Sequence, residues 1–257
     1  MAAAVDKKQY EHLQSLYDAA EELPQSSLYQ ELVRIGLHDC TGKTIVDLGG
    51  GTGLHARNAI DKGAKSVDVV DISPAMLEAG KATERDLGRD DRVRWFVGDM
   101  TKPLEDIGLE KEYDISMVNW TFDHAETVTE LETMWQNTAA LTKKDGRLIS
   151  VRMVNPKATS STEGKYGGSF SDFEEIPGGL KYVYHAHIMP LLSFPATTMS
   201  ESLDFEKSKL IARRYGFTEF KKISEEDTEV VKKDPEFWKM HVADPAFICI
   251  TAIKAED

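Results

Sequence analysis

Residues 44–56 read Thr-Ile-Val-Asp-Leu-Gly-Gly-Gly-Thr-Gly-Leu-His-Ala, and their reading decides the fold. A short β-branched run ends in a glycine cluster and passes directly into a helical pattern. Glycine lacks a Cβ and tolerates positive φ, so a strand that ends this way can turn sharply and lie close against a ligand. Further β-branched runs at residues 66–71, 93–97, 113–118 and 146–153 follow, each bounded by Gly, Asp or Pro. Helical patterns alternate with them, and that alternation predicts a parallel sheet. One helix is expected over 73–87, with Ser73 as its cap and Pro74 at its first position. Another is expected over about 125–141, with Asp123 and Glu126 at capping-box spacing.

Beyond Met153 the pattern changes. Asn155-Pro156 breaks the strand, and residues to about 200 are rich in Ser, Thr, Gly, Pro and aromatics, as an inserted cap would be. Within it, residues 180–188 alternate as a half-buried strand, with Leu180, Tyr182, Tyr184, Ala186 and Ile188 on one face. A helix over 202–215, ended by Gly216, and a hairpin-like pair of strands near 217–223 and 247–253 complete the chain. The expected organisation is an N-terminal helical cap (1–40), an α/β core (41–154), the inserted cap (155–200) and a closing helix and strands (201–257). The length of 257 residues suffices for a large core without staples, so Cys40 and Cys249 read as small buried thiols. The net charge of −13 argues against nucleic acid and against an anionic membrane surface. No apolar run suggests a signal peptide or a membrane span. The expectation is a soluble, cytoplasmic protein.

The glycines alone are ambiguous. Gly51-Thr52-Gly53-Leu54-His55-Ala56 satisfies the dinucleotide pattern G-x-G-x-x-A, and Asp71 lies twenty residues after Gly51, as an NAD(P)-dependent oxidoreductase would have it. Asp47 separates the readings. A pyrophosphate seeks bare N–H groups and a helix N-terminus, and a carboxylate beside it is repulsive. S-adenosylmethionine carries a sulfonium and an ammonium and no phosphate, so an acid at the strand end is useful to it.

With these residues the chain resembles the class I S-adenosylmethionine-dependent methyltransferases over roughly residues 10–153. Within them it is similar to small-molecule enzymes of the toxoflavin-synthase-like kind. The resemblance implies a Rossmann-like fold: seven strands in a mostly parallel sheet, helices on both faces and an inserted substrate cap. Residues 46–53 match the first motif, which implies Asp47 near the methionine amino group and Gly49, Gly51 and Gly53 under the cofactor. Residues 69–73 match the second, implying Asp71 on the ribose diol, where a carboxylate can accept two charge-assisted hydrogen bonds. Ile72 and Met76 would flank adenine. Residues 96–100 match the third, implying Asp99 and Met100 on adenine. Asn119, Trp120 and Thr121 correspond by position to residues on the methionine half, and Tyr17, with Tyr10 on the same helical face, to a helix folded over the cofactor. Read without a ligand, Met76, Trp120, Tyr10 and Tyr17 are equally ordinary packing residues, and Asp68 is an edge or interface carboxylate.

Methyl transfer is an in-line displacement whose main demand is alignment in a dry site, and a base is needed only when the acceptor is a hydroxyl or a protonated amine. The catalytic residues are not fixed by the sequence, and the candidates are His124, His185 and His187. Asp123 reads as a helix cap. The acceptor side is expected to involve Tyr10, Phe122, His124, Tyr166, Tyr182 and Tyr184, with Phe170 and Phe173 among the cap aromatics. No Asn-Pro-Pro-Tyr-type motif follows the fourth strand, so the expected partner is a small-molecule acceptor methylated on N, O or S, with no metal. Two competing functions stay open on the residues alone: the oxidoreductase, and a non-catalytic regulatory subunit with this fold.

Overall fold

The computed structural model describes residue 16 and residues 19–89, 91–110 and 112–255. Five strands, β1 (Thr44–Leu48), β2 (Ser66–Asp71), β3 (Val93–Val97), β4 (Tyr113–Met117) and β5 (Thr142–Met153), are joined by β9 (Phe217–Lys222) and β10 (Phe247–Lys254) in one seven-stranded sheet. Its order is β3-β2-β1-β4-β5-β10-β9, parallel from β3 to β5, with β10 antiparallel to both β5 and β9. The register sets Asp47 beside Val69 of β2 and Met117 of β4. β1 therefore lies where the strand order reverses, and the carboxyl ends of β1, β2, β3 and β4 open onto one crevice, the place where such sheets bind ligands.

β1, β2 and β4 are mostly buried, as strands covered by helices on both faces are, whereas the edge strand β3 exposes Arg94 and Val97. Helix α1 (Pro24–Leu37) starts with proline in its first turn and buries Leu28, Leu32, Val33 and Leu37. Helix α2 (Leu54–Asp61) follows the glycine turn. Helix α3 (Pro74–Asp86) begins as expected, with the Ser73 hydroxyl accepting from the Met76 N–H at 3.4 Å. Helix α4 (Val128–Leu141) starts later than its spacing predicted. Thr127 caps it, accepting from the Glu130 N–H at 3.1 Å, while the Glu130 carboxylate accepts from the Glu126 N–H at 2.7 Å. Asp123 is thus not its cap. Asp68 is no edge residue either: it is 1% exposed, and its two oxygens accept from Arg94 at 2.7 and 2.6 Å.

The insertion folds as a second, three-stranded antiparallel sheet of β6 (Gly168–Ile176), β7 (Gly179–Ala186) and β8 (Leu192–Met199) in that order. Leu180, Tyr182 and Ala186 of β7 are buried on one face, and Leu180 and Tyr182 join a core that also contains Leu28 and Met153, so the small sheet lies on the large one. Helix α5 (Phe205–Arg214) is capped by Asp204, which accepts from the N–H groups of Glu206 and Lys207. β9 and β10 do pair antiparallel, but not as a hairpin: between them stand short helical turns and helix α6 (Pro235–Ala243). Cys40 and Cys249 are free and buried. Among the described residues no helix is long and apolar enough to cross a membrane.

Candidate functional site

The glycine turn is built by close contacts on three sides. Gly49, Gly51 and Gly53 have φ of 77°, 55° and 82°, which side chains other than glycine adopt poorly. A Cβ on Gly49 would lie 2.2 Å from the Thr121 hydroxyl, and one on Gly53 would lie 2.6 Å from the Trp95 ring. Gly50, which the motif leaves free, is constrained too, because its Cβ would stand 2.7 Å from Asp47 Oδ2. At Gly51 a Cβ would meet only Met76, at 3.5 Å, so this glycine faces open space. That space is a cavity of about 360 Å³ running from the carboxyl ends of β1–β4 to the underside of the small sheet.

Three acids line one half of it. Asp47 is 1% exposed, and its Oδ2 has no partner among the described residues. Burial first, and then the charge of Asp71, push its carboxyl up to about 7. Asp71 accepts from the Gly51 N–H at 2.8 Å on one oxygen and from the Ser73 N–H at 2.8 Å on the other. Burial raises its pKa, and these N–H groups counter only part of the rise. Each oxygen keeps a lone pair for a further donor. Asp99 is half-buried; burial acts to raise its pKa, but the Thr101 hydroxyl and N–H and the Lys102 ammonium, 3.1 Å away, hold it below the usual range. Asn119 accepts from the Val151 N–H at 3.0 Å, and its buried Nδ2 has no partner among the described residues. His55, buried at the same wall, has no partner for its Nδ1 among the described residues, and burial pushes its pKa down to about 4, so the ring is neutral.

The other half of the cavity is aromatic. Tyr29, Trp120 and Phe247 meet edge to face, with centroids 5.6 and 5.2 Å apart. Opposite them Phe170, Tyr182, Tyr184 and Phe194 descend from the small sheet. Gln25 of α1 donates to the Tyr184 hydroxyl at 2.5 Å and so ties the helix to the cap. His124 reaches this wall from the 3₁₀ turn Thr121–His124, and burial lowers its pKa.

Of the residues expected from sequence, Asp47, Gly49, Gly51, Asp71, Ile72, Met76, Asp99, Met100, Asn119, Trp120, Thr121, His124, Tyr182 and Tyr184 all line this one cavity. Gly53 lies beneath it, against Trp95. Phe122 points into the core and stacks on Trp135, with centroids 4.2 Å apart. Tyr166 stacks on Trp238 at 4.7 Å, and its hydroxyl donates to the Phe237 carbonyl, away from the cavity. His185 is held by Ser171 and Ser193, and His187 by Ser169, so neither joins the wall. Tyr10 and Tyr17 lie outside the described residues. The residues that sequence reasoning missed are Gln25, Tyr29, His55, Asp123, Phe194 and Phe247. Leu23-Pro24-Gln25-Ser26 was an available signal, since proline there starts a fresh helix and places Gln25 and Tyr29 one turn apart.

The sheet order, the glycine turn and the acids at the ends of β1 and β2 and just past β3 lie within the residues that match a family model described as "Methyltransferase domain", residues 45–146. A ribosomal protein L11 methyltransferase from Alteromonas mediterranea is 40% identical over 67 residues, 26% of this chain and 23% of that protein. The chain thus spans about a quarter of the length of the curated relatives it matches. Among solved structures, the CcbJ methyltransferase from Streptomyces caelestis aligns with a TM-score of 0.64 at 16% identity, covering 98% of this chain and 100% of its own. An S-adenosylmethionine-dependent methyltransferase from Mesorhizobium loti aligns with a TM-score of 0.59 at 16% identity, covering 91% and 99%. The Rossmann-like fold of these enzymes is the fold of this chain. The orphaned polar atoms of the domain suit their methyl donor. Among the described residues Asp47 Oδ2 lacks a donor and Asn119 Nδ2 lacks an acceptor, a complementary pair for the ammonium and carboxylate of an amino-acid head group.

Proposed function

We propose that the chain is an S-adenosylmethionine-dependent methyltransferase that moves a methyl group to the nitrogen, oxygen or sulfur of a small molecule. The observation that carries this reading is the continuity of one cavity from the acid-lined glycine turn to an aromatic chamber under the inserted sheet. Bound at the turn, S-adenosylmethionine supplies a methyl group made electrophilic by its sulfonium. Asp47 and Asn119 hold the amino-acid end, Asp71 accepts from the ribose diol, and Met76 and Ile72 pack on the base. Asp99 accepts from the adenine amino group beside its bonds to Thr101. The aromatic chamber keeps water out and fixes the acceptor in line, which supplies most of the rate that such a displacement needs. Neutral His124, at the chamber wall, is placed to take a proton when the acceptor must lose one.

Against the oxidoreductase reading, Asp47 lies buried against the glycine turn with an oxygen that has no partner among the described residues, a repulsive neighbour for a pyrophosphate, and residues 45–146 match a methyltransferase domain. Calorimetry with S-adenosylhomocysteine tests the proposal. Saturable binding is expected, weakened at least about tenfold by Asp71→Ala, since two charge-assisted hydrogen bonds are lost. Absence of binding to the unaltered chain would overturn it. Incubating a metabolite extract with isotopically labelled methyl donor then identifies the acceptor by mass.

A further inference from the structure

Helix α4 buries Leu131, Met134, Trp135 and Leu141, and Asn137 interrupts this largely apolar face. Asparagine is a mediocre helix former, and a buried amide is costly unless its hydrogen bonds are made. Asn137 is 7% exposed, and its Nδ2 donates out of the helix, to the Met100 carbonyl at 3.0 Å and to the Lys102 carbonyl at 2.7 Å. A carbonyl can only accept, so the two N–H bonds of the amide are matched one to each. Met100 and Lys102 belong to the segment between β3 and β4, in which no helix or strand stands among the described residues.

The same short stretch holds Asp99. The Met100 carbonyl and the Thr101 N–H are opposite ends of one planar peptide unit. Asn137 takes the carbonyl end, while Asp99 Oδ1 accepts from the N–H end at 3.0 Å and from the Thr101 hydroxyl at 2.6 Å. The other carboxylate oxygen lies 3.1 Å from the ammonium of Lys102, whose carbonyl Asn137 also holds. With its side chain 71% exposed, Lys102 is by itself a loose partner. Residues 101 and 102, which supply these donors to Asp99, are bracketed by the two carbonyls that Asn137 pins. The Asp99 side chain is 22% exposed and lines the cavity, whereas Asn137 is not on its wall.

We infer that Asn137 is a positioning residue for base recognition: by pinning the Met100 and Lys102 carbonyls it fixes the Asp99 carboxylate toward the adenine amino group of the cofactor, and so sets the preference for adenine over a 6-oxo purine. This role rests on the methyltransferase reading above and on the place it gives to Asp99. A 6-oxo purine puts a carbonyl where the amino group stood, and a carboxylate fixed there rejects it. A carboxylate free to swing reaches the neighbouring ring N–H instead, and the preference fades.

The test compares S-adenosylhomocysteine with S-inosylhomocysteine, its 6-oxo analogue, by calorimetry on the full chain. The unaltered chain is expected to bind the adenine ligand about tenfold or more tightly. In Asn137→Leu, which removes both donors while favouring the helix, and in Asn137→Ala, that ratio falls to within about threefold. A variant that is merely less stable weakens both ligands in the same proportion and leaves the ratio where it was. In the unaltered chain carrying isotopically labelled asparagine, the Asn137 side-chain amide is expected to exchange with water at least about tenfold more slowly than a free asparagine amide. Exchange at the free rate overturns the inference even when neither variant folds, and so does a ratio that survives both substitutions. Failure of S-adenosylhomocysteine to bind the unaltered chain defeats the methyltransferase reading. Binding with no preference over the 6-oxo analogue defeats the adenine role of Asp99 and this inference with it, and leaves that reading standing.

Discussion

At Asp47, burial and the adjacent Asp71 charge raise the carboxyl from an ordinary 3.8 to about 7. Between about pH 4 and pH 7 the folded chain therefore keeps a proton that the unfolded chain has released. Because the folded state binds more protons over that interval, stability falls as pH rises through it. Asp47→Asn removes the charge that burial penalises. It is expected to raise the melting temperature of the cofactor-free protein at pH 8 by about 2–4 °C, the shift that about 1 kcal/mol gives a chain of this size, and to leave it unchanged at pH 4. Calorimetric scans at the two pH values check this, and the same substitution weakens S-adenosylhomocysteine binding. Sequence reasoning found Asp47, Asp71 and Asp99 because each stands at or near a strand end, Asp47 just before the glycine turn, Asp71 before Ser73-Pro74 and Asp99 after Gly98. Asp123 and His55 escaped it. Nothing local distinguishes a carboxylate that caps a helix from one that reaches across to the β5 backbone, and the helix period at His55 reads as simple burial.

Among the elements, β1 to β4 and α3 were legible because short β-branched runs bounded by Gly, Asp or Pro mark strands and Ser73-Pro74 marks a helix start. The small sheet was only one-third legible. β6 hides its period at a bulge, where Asp172 has φ 53° and the register with β7 shifts between Ser171 and Glu174. The shift brings Phe170 and Phe173, three residues apart, into contact with the same ring of Tyr182. β8 hides behind Pro195, which is tolerated because β8 is an edge strand, paired only with β7. The start of α4 was misplaced because Asp123/Glu126 and Thr127/Glu130 offer the same spacing, and Met153 claims Asp123. Thr127→Ala is accordingly expected to cost about 1 kcal/mol in urea denaturation. A loss below about 0.3 kcal/mol would argue against the Thr127 cap.

Across the whole molecule, proton linkage and ligand linkage meet at one site. A cationic head group favours ionised Asp47, so S-adenosylhomocysteine at about a hundredfold excess over its Kd should raise stability by about 2.7 kcal/mol where Asp47 is charged. The gain in melting temperature at a fixed ligand concentration is expected to be larger at pH 8 than at pH 6, and an equal gain would count against Asp47 as the cation partner. The chamber, meanwhile, is shared property. Gln25, from the helix that precedes the cofactor motifs, donates to Tyr184 of the insertion at 2.5 Å, and its backbone N–H donates to the Tyr166 carbonyl at 3.1 Å. A Cβ on Gly168 would stand 2.3 Å from the Gln25 amide. The inserted sheet is therefore no free-standing cassette: an evolutionary or engineered exchange of residues 155–200 that left α1 behind would strand the Gln25 amide against a foreign surface. Changes of acceptor in descendants of this chain are expected to come as paired replacements at the two ends of that hydrogen bond.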